Sequence, residues 1–324
     1  MDKRHLFSRA LLFVAMVLLL GVAQARANVF SDFNEKEQQL YQNAIHFMDN
    51  GMVDTGIDLL KGLDKAHPSN WAVVHEIVYG YIVKQDYEEA YQWAKKLLKL
   101  KDADADSYFI AGNAFDYVGK RKEAIEIYEK GLKKFPNSAR LWVEKGNKAY
   151  MMKNYDESVG CYEHAIDIDP NFDVSYYRLA NLYAMSTDPV WAVMYAQNYQ
   201  LHASKYERLM EMGKLIYDLY RENVTRKDGK WEVTFTKKVN LSAYASLDCD
   251  LPYNGFFYYT HKVVLDEGGF AGDTLTLADV ARLHRKYVEI ADTTAHDYYN
   301  VPVLDMERAA LHEGHLDGYI MWML

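Results

Sequence analysis

The stretch ADSYFIAGNAFDYVGKRKEAIEIYEKGLKKFPNS, residues 105–138, decides the fold. It closes two residues past Pro136. Pro68 lies 68 residues earlier and Pro170 lies 34 residues later, so one period of 34 accounts for all three prolines. A period of that length announces a solenoid of stacked supersecondary units. Closing each unit two residues past its proline position yields five, beginning at Glu37, Trp71, Ala105, Ala139 and Asp173.

Within the quoted unit Tyr108 holds position 4, and Gly112, Ala124 and Gly131 hold positions 8, 20 and 27. Phe115 and Tyr128 hold positions 11 and 24, and Pro136 holds 32. The next unit repeats this with Trp142, Gly146, Ser158, Tyr162, Ala165 and Pro170, departing at Ala149. The fifth keeps Tyr176, Ala180, Tyr183 and Ala192, then departs at Ala196 and Tyr199. The first has Leu40, Ala44, Phe47, Gly56, Leu60 and Pro68. The second is the weakest, with Val78 and Asp102 off the pattern but Tyr81 and Ala90 on it. This pattern resembles the tetratricopeptide repeat family, which implies a mostly α fold of about five helical hairpins. Each position has a physical reason. Small residues at 8 and 20 let the two helices of a hairpin cross closely. Aromatics at 11 and 24 fill the space between hairpins, and proline ends the second helix because it has no N–H to give. One hairpin cannot bury its apolar face alone, so stacking closes the core. Tyr206 to Glu222 then reads as a capping helix, with Leu209, Met210, Ile216, Tyr217 and Tyr220 on one face and charges on the other.

In that family the first helices of the hairpins line a concave groove, so the resemblance implies a protein or extended-peptide partner. Position 9 is Asn113, Asn147 and Asn181 in three consecutive units. A carboxamide carries donor and acceptor together, suited to a peptide backbone whatever its sequence. Around this row the groove positions hold Phe109, Tyr150, Tyr177 and Met185, with Arg140 and Arg178 as basic members. Some members of the family clamp a peptide C-terminus with lysines at position 5. Here position 5 is Tyr41, His75, Phe109, Val143 and Tyr177, so aromatic and apolar contacts are expected, with an acidic group on Arg178.

Residues 1–27 read as a secretory leader. Lys3, Arg4 and Arg9 precede an uncharged apolar run from Ala10 to Val22, and small residues flank Gln24 and Arg26 at two cleavage positions. The run is shorter than the ~20 residues of a spanning helix, and no later stretch is long and apolar enough to span. Export to the periplasm or exterior is the expectation. Losing the leader removes four basic residues and one acidic, taking the net charge from −9 to −12. That balance disfavours nucleic acid and anionic lipid as general partners. Two cysteines, Cys161 and Cys249, are too few for a disulfide framework. Cys161 falls on an apolar helical pattern, which reads as a buried thiol, though a bridge between the two stays open.

The period stops after Asn223, so the domains are 1–27 leader, 28–223 solenoid with its cap, and 224–324 a small α+β domain. Arg226 to Lys230 is a turn, and Trp231 to Thr236 alternates as a half-buried strand. Phe256 to Leu265, rich in aromatic and β-branched residues, reads as a second strand. Helices are expected over Thr276–Ala291, with Asp273 or Thr274 as cap, and from Val303 to about Glu313. Leu316–Leu324 reads as a buried strand or short helix. Gly268 to Gly272 reads as a flexible turn; it lacks the lysine of a phosphate loop. His312 and His315, with His296 upstream, are weak metal candidates, one residue short of the spacing that aligns two imidazoles on a zinc. No catalytic motif and no cofactor are expected. The reading is a non-catalytic scaffold outside the cytoplasm. Its alternatives are a metal-dependent enzyme in the C-terminal domain, or a structural subunit of an envelope complex.

Overall fold

The computed structural model describes residues 32–203, 205–236, 253–294 and 302–324. The leader, Cys249, His296 and Asp297 lie outside the described residues. The chain divides into two compact units, one up to Lys145 and one from Gly146.

The first unit contains α1 (Glu35–Asp49), α2 (Val53–Ala66), α3 (Trp71–Val83), α4 (Tyr87–Leu97), α5 (Ala105–Tyr117) and α6 (Arg121–Lys134), followed by the start of α7 (Ala139–Met151). Each helix from α1 to α6 packs on its neighbour in sequence, and α1 also meets α3, as α3 meets α5. The 34-residue register holds to the residue, since α3, α5 and α7 begin at Trp71, Ala105 and Ala139. The first helix begins two residues before its unit because Asn34 and Glu37 form a reciprocal capping box, each accepting from the other's backbone N–H at 2.9 and 3.0 Å.

The small residues lie where helices touch. A Cβ on Gly56 would fall 2.6 Å from the Ala44 carbonyl oxygen across the α1–α2 crossing. At Gly112 it would fall 2.1 Å from Cε1 of Tyr128. That ring cannot swing away freely, because the Tyr128 hydroxyl donates to Asn113 Oδ1 at 2.7 Å. The large residue at position 4 closes a second tie: Trp142 Nε1 donates to the Pro136 carbonyl at 2.7 Å.

The second unit repeats both devices. It holds the rest of α7, α8 (Tyr155–Ile168), α9 (Asp173–Ala184), α10 (Val190–His202) and α11 (Tyr206–Asn223). A Cβ on Gly146 would meet Tyr162 Cε1 at 2.5 Å, and the Tyr162 hydroxyl donates to Asn147 Oδ1 at 2.8 Å. The Tyr176 hydroxyl donates to the Pro170 carbonyl at 3.0 Å. The expected capping helix is α11, which packs on α10. Of its expected apolar face Ile216 and Tyr220 are buried but Met210 is exposed, and Met212 and Leu219 complete the buried side instead. Cys161 is buried on α8, as its pattern implied; a bridge to Cys249 falls outside the described residues.

Beyond α11 runs one antiparallel hairpin, β1 (Val224–Lys227) with β2 (Lys230–Val233), turning through Asp228 and Gly229 at positive φ. Four helices follow: α12 (Tyr253–Glu267), α13 (Leu277–Thr294), α14 (Pro302–His312) and α15 (Leu316–Met323). The second expected strand is therefore wrong. Phe256 to Leu265 is the middle of α12, and its buried residues Phe256, Phe257, Thr260, His261, Val264 and Leu265 recur at helical intervals. Composition there favours strand, and packing against α13 and β2 overrides it. The cap of α13 is also not Asp273 or Thr274. Thr276 and Asp279 make the capping box, while Asp273 and Thr274 pair with β1. Gly268 and Gly269 turn at positive φ, and Arg282 Nη2 donates to the Gly269 carbonyl, so that turn presents an acceptor rather than an anion cradle. One apolar core joins α9–α11 to β2 and α12–α15. No helix of the described residues is long and apolar enough to cross a membrane.

Two glycines of the first unit separate the crossing constraint from helix propensity. Gly62 on α2 has nothing within 4 Å of its would-be Cβ, so Gly62→Ala should raise stability by up to ~1 kcal/mol. Gly112→Ala gains the same propensity but collides with a tethered ring, and should lower stability by about 1–3 kcal/mol. Urea midpoints of both variants against the parent check the pair; a Gly112→Ala midpoint at or above the parent's contradicts the interlock.

Candidate peptide-binding site

In the second unit α7, α8 and α9 enclose a pocket of about 230 Å³. Its walls include Tyr150, Tyr162 and Tyr177, with Arg178, Asn181 and Met185 on the α9 side. Five of the groove residues expected from sequence, Tyr150, Tyr177, Arg178, Asn181 and Met185, thus share one cavity. Tyr150 and Met185 stand exposed at its rim, 41% and 66% accessible.

The three asparagines do not have one role. Asn113 and Asn147 each accept a tyrosine hydroxyl from the second helix of their own hairpin. Their carboxamide oxygens are therefore engaged inside the protein. Unit five has Ala196 where units three and four carry Tyr128 and Tyr162, so Asn181 has no such donor. Its Nδ2 donates to the Tyr177 carbonyl at 2.8 Å, and the side chain stays exposed in the pocket. Sequence periodicity placed the three alike because it cannot see which hydroxyl reaches which amide.

Tyr177 is held from the capping helix. Its hydroxyl donates to Glu211 Oε2 at 2.9 Å, and the Arg208 guanidinium lies 4.7 Å from its ring centroid. Burial, and then the Glu211 hydrogen bond, push its hydroxyl above the ordinary tyrosine range, so it remains a protonated donor. Arg178 is exposed and, among the described residues, makes no ion pair. A guanidinium in this setting offers a planar fork of donors to a carboxylate. In the first unit the expected residues form a separate group, with Arg140 stacked 4.8 Å over Phe109 and paired with Asp106 at 3.2 Å. That arginine already has an acidic neighbour.

Family models of the tetratricopeptide repeat match residues 105–137, 139–172 and 161–204. Residues 105–204 belong to the tetratricopeptide-repeat family. Solved structures with similar folds include that of MamA, at 22% identity over 53% of this chain and 96% of that one, with a TM-score of 0.42. TTC0263, a thermophilic tetratricopeptide-repeat protein in Thermus thermophilus, is 14% identical over 56% of this chain and 98% of its own, at a TM-score of 0.49. PilW, a type IV pilus biogenesis factor, is 15% identical over 56% and 87%, at 0.48. No curated protein matches the sequence.

The helices after the tetratricopeptide units hold the histidines that sequence reading missed. His312 lies in the last turn of α14, exposed and bonded to Asp292 Oδ1 at 2.9 Å. Gly314 at φ +77° then ends the helix, so His315 at the start of α15 does not share its face. Among the described residues no three His, Cys, Asp or Glu side chains are grouped to hold a metal. Among the described residues the buried histidines are His261 on α12 and His284 on α13. Hydrogen-bond accounting fixes their protons. His261 Nδ1 faces the Phe257 carbonyl at 2.7 Å and must donate, which leaves Nε2 to accept from the Tyr220 hydroxyl at 3.0 Å. The Tyr220 oxygen then accepts from His284 Nδ1 at 3.1 Å. His284 Nε2 lies 2.7 Å from Glu307 Oε1, and one proton must sit between them. Gln197 Nε2 donates to the same carboxylate oxygen at 2.7 Å. This relay ties α10, α11, α12, α13 and α14 together through fully paired polar groups.

Burial holds the His261 imidazole down at about 3, aided by the neighbouring His284 and opposed by the Phe257 hydrogen bond. An unfolded histidine titrates near 6.5. The folded group thus binds fewer protons than the unfolded one between those values, so its contribution is complete above about pH 6.5 and is lost as pH falls toward 3. The slope is about 1.4 kcal/mol per pH unit from this residue. Urea midpoints should fall from pH 6.5 to pH 4, and the His261 ring should show no NMR titration near 6.5. A normal titration of that ring contradicts the assignment.

Proposed function

We propose that this protein is a non-catalytic adaptor that works outside the cytoplasm and holds an extended segment of a partner protein in the pocket of Tyr150, Tyr177, Arg178, Asn181 and Met185. The observation that carries this reading is Arg178, an exposed guanidinium in an aromatic pocket that makes no ion pair among the described residues. A partner carboxylate completes its pairing. In this reading the exposed Asn181 carboxamide accepts a backbone N–H from the same segment. Tyr150 and Met185 supply adaptable apolar contact at the rim. The engaged oxygens of Asn113 and Asn147 assign them to holding their hairpins, which makes Arg178 and Asn181 the informative positions for a binding test. Export rests on the charged start, apolar run and small-residue cleavage positions of residues 1–27.

A peptide array should select sequences bearing a carboxylate next to an apolar or aromatic residue. Arg178→Glu should weaken the selected peptides at least tenfold while leaving the urea midpoint unchanged, since the side chain is exposed. Equal binding of each peptide and its carboxamide counterpart, or no loss in Arg178→Glu, sinks the reading. Export has its own check. Mass spectrometry of the chain from its native cell should find it outside the cytoplasm, starting at Arg26 or Asn28; a full-length cytoplasmic chain refutes export without touching the pocket.

A further inference from the structure

A second cavity of the same unit, about 390 Å³, has a different chemistry. It lies against α8, α9, α10 and the start of α14 at Pro302, and its polar lining is made of acceptors. Glu163 and Asp167 stand four residues apart on one face of α8. Neither has a basic partner among the described residues. The hydrogens of the other polar groups are turned into the protein. The Tyr195 hydroxyl donates to Glu163 Oε1 at 2.9 Å, and the Tyr176 hydroxyl donates to the Pro170 carbonyl. Asn198 is only 5% exposed, and its Nδ2 donates back to the Met194 carbonyl at 2.9 Å. The Asn198 Oδ1 is left with no donor among the described residues. Burial, with Glu163 beside it, drives the Tyr195 hydroxyl far above the ordinary tyrosine range, so it keeps its proton and cannot turn the cavity neutral by reversing roles.

Two tyrosine rings, with Ile166, Met194 and Pro302, make up the rest of the lining. Tyr176 and Tyr195 lie 6.4 Å apart at 46°, and His202 stacks on Tyr176 at 5.4 Å. Rings in such a position attract a cation over their faces. The volume is that of an organic ligand site, larger than a bare ion needs. The chain's net charge of −9 draws the same sign of ligand.

We infer that the cavity of Glu163, Asp167, Tyr176, Tyr195 and Asn198 is a binding site for an organic cation, an ammonium or guanidinium group rich in N–H donors. The carboxylates and the Asn198 oxygen take its hydrogens, and the tyrosine rings cover its apolar stem. Such a group comes either from a free polyamine or from a lysine or arginine side chain of a partner. The inference is independent of the Arg178 pocket, which takes the opposite charge.

The test is titration of the purified chain, followed by the Met194 methyl signal in NMR, since Met194 lines the cavity. The probes are spermidine, N-acetyl-lysinamide and N-acetyl-argininamide, with N-acetyl-norleucinamide as the uncharged counterpart. Saturable shifts with a charged probe but not the uncharged one are expected, weakening with salt. A response to the amino-acid amides assigns a partner side chain, and a response to spermidine alone assigns a free polyamine. Asp167→Asn should weaken binding severalfold, and Asp167→Asn with Glu163→Gln at least tenfold. The second change keeps an acceptor for Tyr195, so both variants retain the fold. No saturation by any charged probe, or unaltered titration in the double variant, overturns the site.

Discussion

The repeat region depends on one local interlock. A glycine at a helix crossing leaves room for a tyrosine ring from the second helix, and the next residue, an asparagine, takes that tyrosine's hydroxyl. Gly112, Asn113 and Tyr128 do this in the first unit, and Gly146, Asn147 and Tyr162 do it in the second. Neither half suffices alone. A larger residue at the glycine would push the axes apart, and a buried phenol without its acceptor would leave a polar group unsatisfied. The interlock fixes both the distance and the rotation of the two helices in a hairpin. The aromatic at position 4 then ties the hairpin to its turn through the proline carbonyl, as Trp142 and Tyr176 do. Proline at position 32 therefore has two effects: it ends a helix, and its carbonyl takes a bond from the next one.

Where the interlock is relaxed, function becomes possible. Unit five has Ala180 and Ala196 at positions 8 and 24, so no phenol crosses to Asn181. The amide that would have held a hairpin is left exposed beside Arg178, and Tyr177 is secured from α11 instead. The departure from the pattern and the candidate pocket are the same event seen at two levels. On α10 Tyr195 and Tyr199 occupy other positions, and Tyr195 lines the acidic cavity, its hydroxyl on Glu163. A repeat that had matched the pattern throughout would have offered neither pocket in this form.

The legibility of this chain follows from how local each constraint is. Helix starts at Trp71, Ala105 and Ala139 were readable because each is set by a proline or a cap a few residues away and is repeated. The groove residues were readable as positions but not as roles, since whether an asparagine meets a peptide or a phenol depends on a residue fifteen places on. Phe256 to Leu265 misled because Phe, Tyr, Thr and Val suit strands in isolation, while the burial that makes them a helix comes from α13 and β2. His261, His284 and Glu307 were missed for a related reason. They lie 23 residues apart in pairs, on three helices, and nothing local joins them. One signal was available: His284 sits midway between Val280 and Val288, and His261 four residues after Phe257, so both interrupt apolar stripes at helical spacing.

That histidine relay also bears on what the C-terminal region contributes. A core built only of apolar side chains would hold α12–α15 against α10 and α11, but it would tolerate sliding of one helix along another. A chain of directed bonds from Phe257 through His261, Tyr220 and His284 to Glu307 does not, because each proton has one position that satisfies its neighbours. Shifting any helix by one residue would leave a buried donor or acceptor unpaired, at a cost of ~1–3 kcal/mol for each group. The relay thus sets the register of the C-terminal helices on the last hairpin. It passes through α10 by way of Gln197, whose neighbours Met194 and Asn198 line the acidic cavity. It reaches α11 by way of Tyr220, on the helix whose Arg208 and Glu211 hold Tyr177. Both candidate pockets are therefore anchored to the same rigid element. The C-terminal helices contribute no side chain to the Arg178 pocket, and they hold in place the two helices on which that pocket and its acidic counterpart depend.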